Sequence, residues 1–275
     1  MKNFTQTNKT YVYDGSFEGL LTIVFNCYIL KQIPLKIFSE NNYTPNILDN
    51  IEKVITDYNK SERIFNGIIK NISYDVLYNS YYAFLSEDSE KEINILKYLL
   101  YGFLIGPQID TILSINFVSK VNALRKKMLC ESHKLKGLLR FSKIGNNLFY
   151  SSIHPTHNVL ENLGHHFIKR LPTQNFIIHD KNRNIAFLYN TREYKIVDSS
   201  SINIPDMSEE EKKYQELWKS FFYTIAIKER TNKKLQMQFM PKKYWLDLIE
   251  IIEWFKYLLS RTIYKKNDKW YYFFY

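Results

Sequence analysis

Apolar positions recur every three or four residues through most of the first half of the chain, which is the spacing of helices with a buried face. A short strand at 10–13 precedes a helix from Phe17 to about Leu30, which Ser16 can cap. Residues 31–50 carry no such period and are predicted to form a loop. Further helical segments follow at 48–59, 61–85, 91–104 and 108–130. The pattern therefore predicts a mainly helical N-terminal portion.

Alternation of apolar and polar positions replaces the helical period after residue 136. Between the alternating runs lies a helix that Thr156 can cap and Pro172 ends. The alternation predicts strands at 137–141, 148–153, 176–178, 185–189 and 193–197. We therefore expect an α+β fold, with helices packed on a central antiparallel sheet of about five strands.

The C-terminal part returns to helical spacing. Ser208 and the glutamates after it form a capping box for a helix that runs to about Lys228. Pro241 opens another helix, which buries Trp245 and Leu248. We divide the chain into a helical portion, a compact α+β portion and an aromatic tail, over residues 1–130, 131–261 and 262–275.

Composition narrows the class of protein. Hydrophobic residues make up 45% of the 275 positions, enough for a substantial core, which excludes global disorder. Two cysteines far apart give no disulfide framework, so a reducing compartment is expected. The sequence has no apolar run of membrane-spanning length, and its first ten residues carry no signal-peptide core. We expect a cytoplasmic protein without membrane contact.

The net charge of +10 is concentrated in two short blocks. Residues 120–143 hold eight basic residues and one acidic residue, and residues 228–243 hold six and one. Concentrated positive charge is typical of proteins that bind a polyanion such as DNA, although a solvated lysine-rich face gives the same pattern. The residues expected to contact nucleic acid are Arg125, Lys126, Lys127, Arg140, Lys143, His165, Arg170, Arg183, Arg230, Lys242 and Lys243.

Residues 153–190 hold five of the six histidines. Imidazoles at this density could bind a transition metal, but no carboxylate or thiolate stands at a known ligand spacing, so no metal site or cofactor is predicted. Asp180, followed across the hairpin by Glu193 and Lys195, resembles the layout of a magnesium-dependent nuclease. His165 with Asp180 is a second catalytic candidate. No phosphate loop, dinucleotide fingerprint or nucleophile elbow occurs.

Several spaced motifs resemble a bacterial family of DNA-metabolism or DNA-repair proteins. The resemblance covers nearly the whole chain up to about residue 250. It is carried by Tyr11–Leu21, Glu131–Gly137, the His-Pro run at His154, Gly164–Phe167 with Arg170, His179-Asp180 with Arg183, Glu229–Asn232 and Met240–Trp245.

The resemblance implies a partner rather than a reaction. The family is usually encoded beside a radical-SAM protein, a related domain occurs fused to a uracil-DNA-glycosylase-like domain, and no catalytic residue is assigned. Two cysteines cannot supply three ligands to an iron–sulfur cluster. We therefore expect a DNA-binding accessory factor that acts with a radical-SAM enzyme. The alternatives are a metal-dependent nuclease or hydrolase, and a scaffold that binds only protein.

Overall fold

The computed structural model of the chain describes residues 4–45, 50–145, 147–200 and 207–251. The chain divides into two compact units, Met1–Cys130 and Glu131–Tyr275, which we call unit 1 and unit 2. The division falls inside one long helix, Asn116–Leu138.

Unit 1 begins with short parallel strands. They are β1 (Thr5–Gln6), β2 (Thr10–Tyr13), β3 (Gln32–Ile33), β4 (Lys36–Ser39) and β5 (Ile51–Lys53). β2 lies in the middle of a three-stranded sheet of order β4-β2-β5, and β1 pairs with β3. The predictions of a loop over 31–50 and a helix from 48 were wrong here, because strands of two to four residues are too short to show a period of two.

The helices of unit 1 follow the predicted order. They are α1 (Phe17–Leu30), α2 (Tyr58–Asn71), α3 (Tyr74–Phe84), α4 (Lys91–Ile105), a 3₁₀ helix at Gly106–Thr111, and the first part of α5 (Asn116–Leu138). The predicted cap of α1 is confirmed: the Ser16 hydroxyl accepts a hydrogen bond from the Gly19 amide at 2.9 Å. α1 and α4 carry much of the core, with Ile23 and Leu99 fully buried.

Helix α5 extends further than the sequence prediction. The buried side chains of Met128, Leu135 and Leu139 keep a helical spacing through the position where a strand was predicted. The strand prediction for 137–141 was therefore wrong, and Arg140 lies in the turn after α5. That turn leads into the sheet of unit 2.

Unit 2 is built on a five-stranded sheet, which confirms the α+β class. Its strands are β6 (Ser142–Ile144), β7 (Leu148–Ile153), β8 (Asn175–Asp180), β9 (Ile185–Tyr189) and β10 (Tyr194–Asp198), in the spatial order β10-β9-β8-β7-β6. Three of its pairs are antiparallel, but β7 and β8 are parallel. The sheet is mixed because α6 (Leu160–Arg170) forms a crossover between β7 and β8.

α6 packs closely on this sheet. Leu163 and Phe167 are buried, as their spacing predicts. Gly164 lies so near the Phe187 ring of β9 that an added Cβ would come within 2.3 Å of it. Thr156 does not cap the helix: α6 starts at Leu160, and Thr156 belongs to the turn before it.

The last described part of unit 2 is mostly helical. It contains α7 (Glu209–Ile225), α8 (Lys233–Phe239) and a 3₁₀ helix at Lys242–Asp247. The Ser208 cap is confirmed by a hydrogen bond from the Glu211 amide to its hydroxyl at 3.1 Å. Pro241 precedes the 3₁₀ helix, and residues 248–251 after it are not helical, so the prediction of a continuous helix from Pro241 was wrong as far as Ile251. The remainder of that predicted helix, like the tail at 262–275, lies outside the described residues.

None of the helices in the described parts of the chain is, by itself, long and apolar enough to cross a membrane. One pair, Lys91–Thr111 and Asn116–Leu138, meets the test of length and composition together, with a 62° bend between its members.

Candidate functional site

A buried glutamate joins three separate segments of unit 2. Glu131, on α5, is 5% exposed. Its carboxylate accepts hydrogen bonds from the amides of Thr156 (3.0 Å) and His157 (2.6 Å) and from the Tyr244 hydroxyl (2.7 Å). Lys243 completes the set with an ion pair to the same carboxylate and a 2.7 Å hydrogen bond to the Thr156 hydroxyl. Glu131 thus fixes the turn after β7 to the 3₁₀ helix at 242–247.

These contacts decide the charge of Glu131. Burial acts to raise its pKa, but the hydrogen bonds from Lys243, Tyr244 and the two amides outweigh burial and lower the pKa to about 2. Burial and the hydrogen bond to Glu131 raise the pKa of Tyr244. The glutamate is therefore an anion whose donors are all in place.

A second buried carboxylate holds the same turn from the other side. Asp180, at the end of β8, is fully buried, and its Oδ2 lies 3.0 Å from Nη1 of Arg183. The guanidinium also donates to the carbonyls of Pro155 and Thr156, at 3.4 and 2.5 Å. Asn182 donates to the Pro155 carbonyl at 2.8 Å. The β8–β9 turn is thereby fastened to the turn after β7.

Two histidines complete this network. Nδ1 of His154 lies 3.0 Å from Oδ2 of Asp247, which also accepts from the Ser152 hydroxyl through Oδ1 at 2.9 Å. His179 is buried, and its ring nitrogens lie 3.1 Å from the Tyr150 hydroxyl and 2.7 Å from the Ser199 hydroxyl. Burial, followed by the charges of Lys181 and His154, lowers the pKa of His179. This part of the network holds the two imidazole rings in place through hydrogen bonds from three segments of unit 2.

The structure does not assemble the nuclease layout predicted from the sequence. Asp180 lies at the end of β8 where it pairs with Ile185, whereas Lys195 pairs with Leu188 near the other end of β9. Glu193 and Lys195 are exposed and lie 4.0 Å from each other. His165 is exposed and contacts Glu161 and the ring of Tyr194 rather than Asp180. Among the described residues, no group of three histidine, cysteine or carboxylate side chains has the geometry of a metal site.

The structure instead gathers cations and aromatic rings around one open pocket of unit 2. The pocket has a volume of about 440 Å³, and α5, the turn after it, β7 and α6 line it. Its lining residues are Lys136, Gly137, Leu139, Arg140, Phe141, Phe149, Phe167, Arg170, Leu171 and Gln174. We call it the basic pocket. No carboxylate belongs to this lining among the described residues.

The three cations of the basic pocket differ in how they are held. Arg140 pairs with Glu250 at 2.8 Å, donates to the Gly137 carbonyl at the end of α5, and lies over the ring of Trp218. Its charge is balanced, and it closes the end of α5. Lys136 and Arg170 make no ion pair within the part of the chain that the structure describes. Among the described residues, these two positive charges therefore have no ion-pair partner.

His166 reports this excess charge. Its pKa is lowered first by burial and then by the charges of Lys136 and Arg170. Burial is the largest cause, and the charges of Lys136 and Arg170 add to it. An anion in the pocket would offset the part of the shift that the two cations cause.

The other residues predicted to contact DNA have varied positions. Arg183 forms an ion pair with Asp180, and Lys243 forms one with Glu131, so both cations have a structural role. Lys126 and Lys127 are exposed on the unit 1 part of α5, next to the half-buried Arg125. The remaining members are Lys143, half-buried on β6, and Arg230 and Lys242, which are exposed in unit 2.

Sequence reasoning missed several residues of these sites. Lys136 belongs to the basic block at 120–143 but is not among the residues predicted to contact nucleic acid. The sequence pattern predicts Phe149 only as part of a strand, and it predicts no role for Asp247 and Glu250 in a site. The available signal was a carboxylate inside an apolar run, as at Asp247 and Glu250, because such a group needs a buried partner.

Comparison with known proteins gives a family but no activity. The model of the family described as "Domain of unknown function (DUF4130)" matches residues 89–250, which is more than half of the chain. No curated protein sequence matches significantly. Among solved structures, the pGpG-specific phosphodiesterase PggH from Vibrio cholerae is similar over 66% of this chain and 81% of its own, with 11% identity and a TM-score of 0.32. A likeness this distant carries no functional argument.

Proposed function

We propose a DNA-binding function for this chain, which belongs to the DUF4130 family. It acts as an accessory factor in DNA repair or DNA metabolism, and it contacts phosphate through the basic pocket of unit 2. One observation carries the proposal. Lys136, Arg140 and Arg170 come from separate elements and meet on one open pocket that has no acidic lining residue among those described.

The chemistry of this pocket suits a nucleic acid better than a protein or a free metal. Lys136 and Arg170 offer donors and charge to phosphate oxygens, and a guanidinium matches the phosphate geometry. Phe141 and Phe149 leave part of their surfaces exposed beside these cations. Cations interleaved with aromatic rings are typical of surfaces that bind single-stranded nucleic acids.

The chemical step is assigned to a partner. Two cysteines, Cys27 and Cys130, cannot hold an iron–sulfur cluster through three thiolates, so radical chemistry requires a second protein. The resemblance to a family encoded beside a radical-SAM protein supports this assignment. Coexpression of the two proteins, followed by affinity purification and size-exclusion chromatography, tests it: separate elution would remove the partner from the proposal.

The DNA proposal is tested by titration of the purified protein with a labelled oligonucleotide at several salt concentrations. Affinity should fall steeply as salt rises, because each phosphate contact releases condensed counterions. The double variant Lys136→Ala/Arg170→Ala should bind weaker and show a smaller salt slope, by about 1.4 for single-stranded DNA. The matched control is Lys169→Ala, an exposed cation at the same end of α6 that does not line the pocket.

Two results would contradict the proposal. The first is no binding of the wild-type protein to DNA even at low salt. The second is an equal loss of DNA affinity in the pocket variant and in Lys169→Ala, which would mean that DNA affinity depends only on the overall charge of the protein. Binding to a partner protein without DNA affinity would favour the scaffold.

A further inference from the structure

We propose that the basic pocket holds one unpaired nucleotide, with its base against the phenylalanine rings and its phosphate against Arg170 and Lys136. The inference rests on the proposed function and specifies the form of nucleic acid that is bound. It predicts a preference for single strands and strand ends over an intact duplex.

The size of the pocket limits which ligand it can hold. About 440 Å³ lies in the range of small-molecule sites, so the pocket admits one nucleotide but not a stacked base pair. A base inside a duplex must leave its stack before it can enter. An unpaired base is already free of that cost, and it is therefore the preferred occupant.

The phenylalanine rings of the pocket also restrict the kind of ligand. Phe167 is 5% exposed and packs edge-on against Phe141, with ring centroids 5.1 Å apart, so it forms the floor of the pocket. Phe141 and Phe149 are only half-buried and retain surface for a ligand. Every nucleobase has a π-face that can stack on such rings. The lining thus favours a flat aromatic group over an aliphatic one.

The cations of the basic pocket restrict the charge of the ligand. Arg140 is already paired with Glu250, which leaves Lys136 and Arg170 for the ligand. Two cations without an ion-pair partner among the described residues match one phosphate group, which carries about one negative charge within a DNA strand and about 1.5 to 2 as a terminal monoester. Phosphate and base are joined in a nucleotide at a distance that a pocket of this size can span. A free phosphate would use the cations but leave the rings unoccupied.

The decisive variant is at Phe149, because its ring is in the pocket lining and is not part of the buried core. Phe149→Leu keeps an apolar side chain and removes the π-face, whereas Phe149→Tyr keeps the ring. Leu148→Ala is the matched control, since neighbouring strand residues point to opposite faces and Leu148 lines a different depression of the surface. Circular dichroism and the thermal midpoint verify folding of each variant.

Two measurements test the inference. Fluorescence anisotropy compares a single-stranded oligothymidine with a duplex of equal length. Calorimetry measures direct binding of thymidine 5′-monophosphate, thymidine and inorganic phosphate.

We expect tighter binding of the single strand, a loss of about 5- to 100-fold in that affinity for Phe149→Leu, and near wild-type affinity for Phe149→Tyr and Leu148→Ala. Duplex affinity and the salt slope should not change in Phe149→Leu. The monophosphate should bind more tightly than either thymidine or phosphate.

The outcomes separate the inference from the proposed function. If inorganic phosphate binds as tightly as the monophosphate, or if Phe149→Leu retains its single-strand affinity, the nucleotide pocket is refuted while DNA binding stands. If the monophosphate binds in a Phe149-dependent way but no oligonucleotide binds, the nucleotide pocket stands and the DNA function fails. Absence of both kinds of binding overturns both.

Discussion

At the scale of single residues, Glu131 shows how a buried charge organises unit 2. A carboxylate with 5% exposure is tolerated only when donors replace its water. Lys243, Tyr244 and two amides of the turn after β7 supply those donors. The motifs that contain Glu131, the His-Pro run and Met240–Trp245 are far apart in sequence, yet they serve one site.

Replacing Glu131 with glutamine should destabilise the protein by roughly 2–3 kcal/mol at pH 7. The amide NH₂ that replaces one carboxylate oxygen cannot accept, so at least one buried donor is left unpaired, and Lys243 loses its ion pair. The measurement is the free energy of unfolding in urea. The control is Glu210→Gln, an exposed glutamate in the first turn of α7, which should change stability by less than about 0.5 kcal/mol.

The same variant should lose part of the pH dependence of stability. The pKa of Glu131 is about 2 when folded, against 4.5 for an ordinary glutamate, so its stabilisation is complete above pH 4.5 and is lost as the pH falls from 4.5 through 2. Wild-type stability should therefore fall more steeply over this window than that of Glu131→Gln. Parallel pH profiles would show that the donors around Glu131 do not lower its pKa in the folded protein.

At the scale of elements, the contact of α6 with the sheet determines where Arg170 lies. Gly164 allows α6 to rest on the ring of Phe187, and this close approach sets the height of the whole helix over the sheet. The end of α6 then brings Arg170 to the basic pocket, next to Lys136 at the end of α5. The position of a functional cation thus depends on a glycine six residues earlier.

Gly164→Ala should destabilise the protein by about 1–3 kcal/mol, because the new Cβ would overlap Phe187 and push α6 away from the sheet. Gly137→Ala is the matched control: it lies near the end of α5, has no atom within 4 Å of an added Cβ, and should be neutral or slightly stabilising. Thermal unfolding of both variants checks the prediction. Equal thermal midpoints for Gly164→Ala and Gly137→Ala would mean that α6 can move away from Phe187 without a loss of stability.

At the scale of the whole molecule, positive charge is present in both units. Lys126 and Lys127 are exposed in unit 1, while Lys136 and Arg170 are in unit 2. A polyanion responds to all of these charges, but Lys136 and Arg170 share the lining of the basic pocket with the rings of Phe141 and Phe149. Affinity and preference for a form of DNA should therefore depend on different residues.

Lys126→Ser with Lys127→Ser tests this separation. The double variant should weaken binding of single strands and duplexes alike, and lower the duplex salt slope by up to about 1.8. It should leave the binding of thymidine 5′-monophosphate unchanged. A selective loss of single-strand binding in this variant would show that the two lysines, rather than the pocket, set the preference.

The sequence by itself determined the elements with long, regular patterns. α1, the hairpin of β8 and β9, the strand β10 and the cap of α7 follow from local periodicity and capping, which act over a few neighbouring residues. The concentration of positive charge at 120–143 was equally visible, because it needs only composition.

Tertiary structure alone decided which residues meet. Short strands such as β3 and β5 form because partners distant in sequence supply their hydrogen bonds, so no local pattern announces them. The structural role of Arg183 and Lys243 is visible only in the folded protein, where Asp180 and Glu131 are buried beside them. Lys136, Phe149 and Arg170 form one pocket because the crossover between β7 and β8 carries α6 back to the end of α5. Such long-range convergence depends on packing, which residue spacing along the chain does not encode.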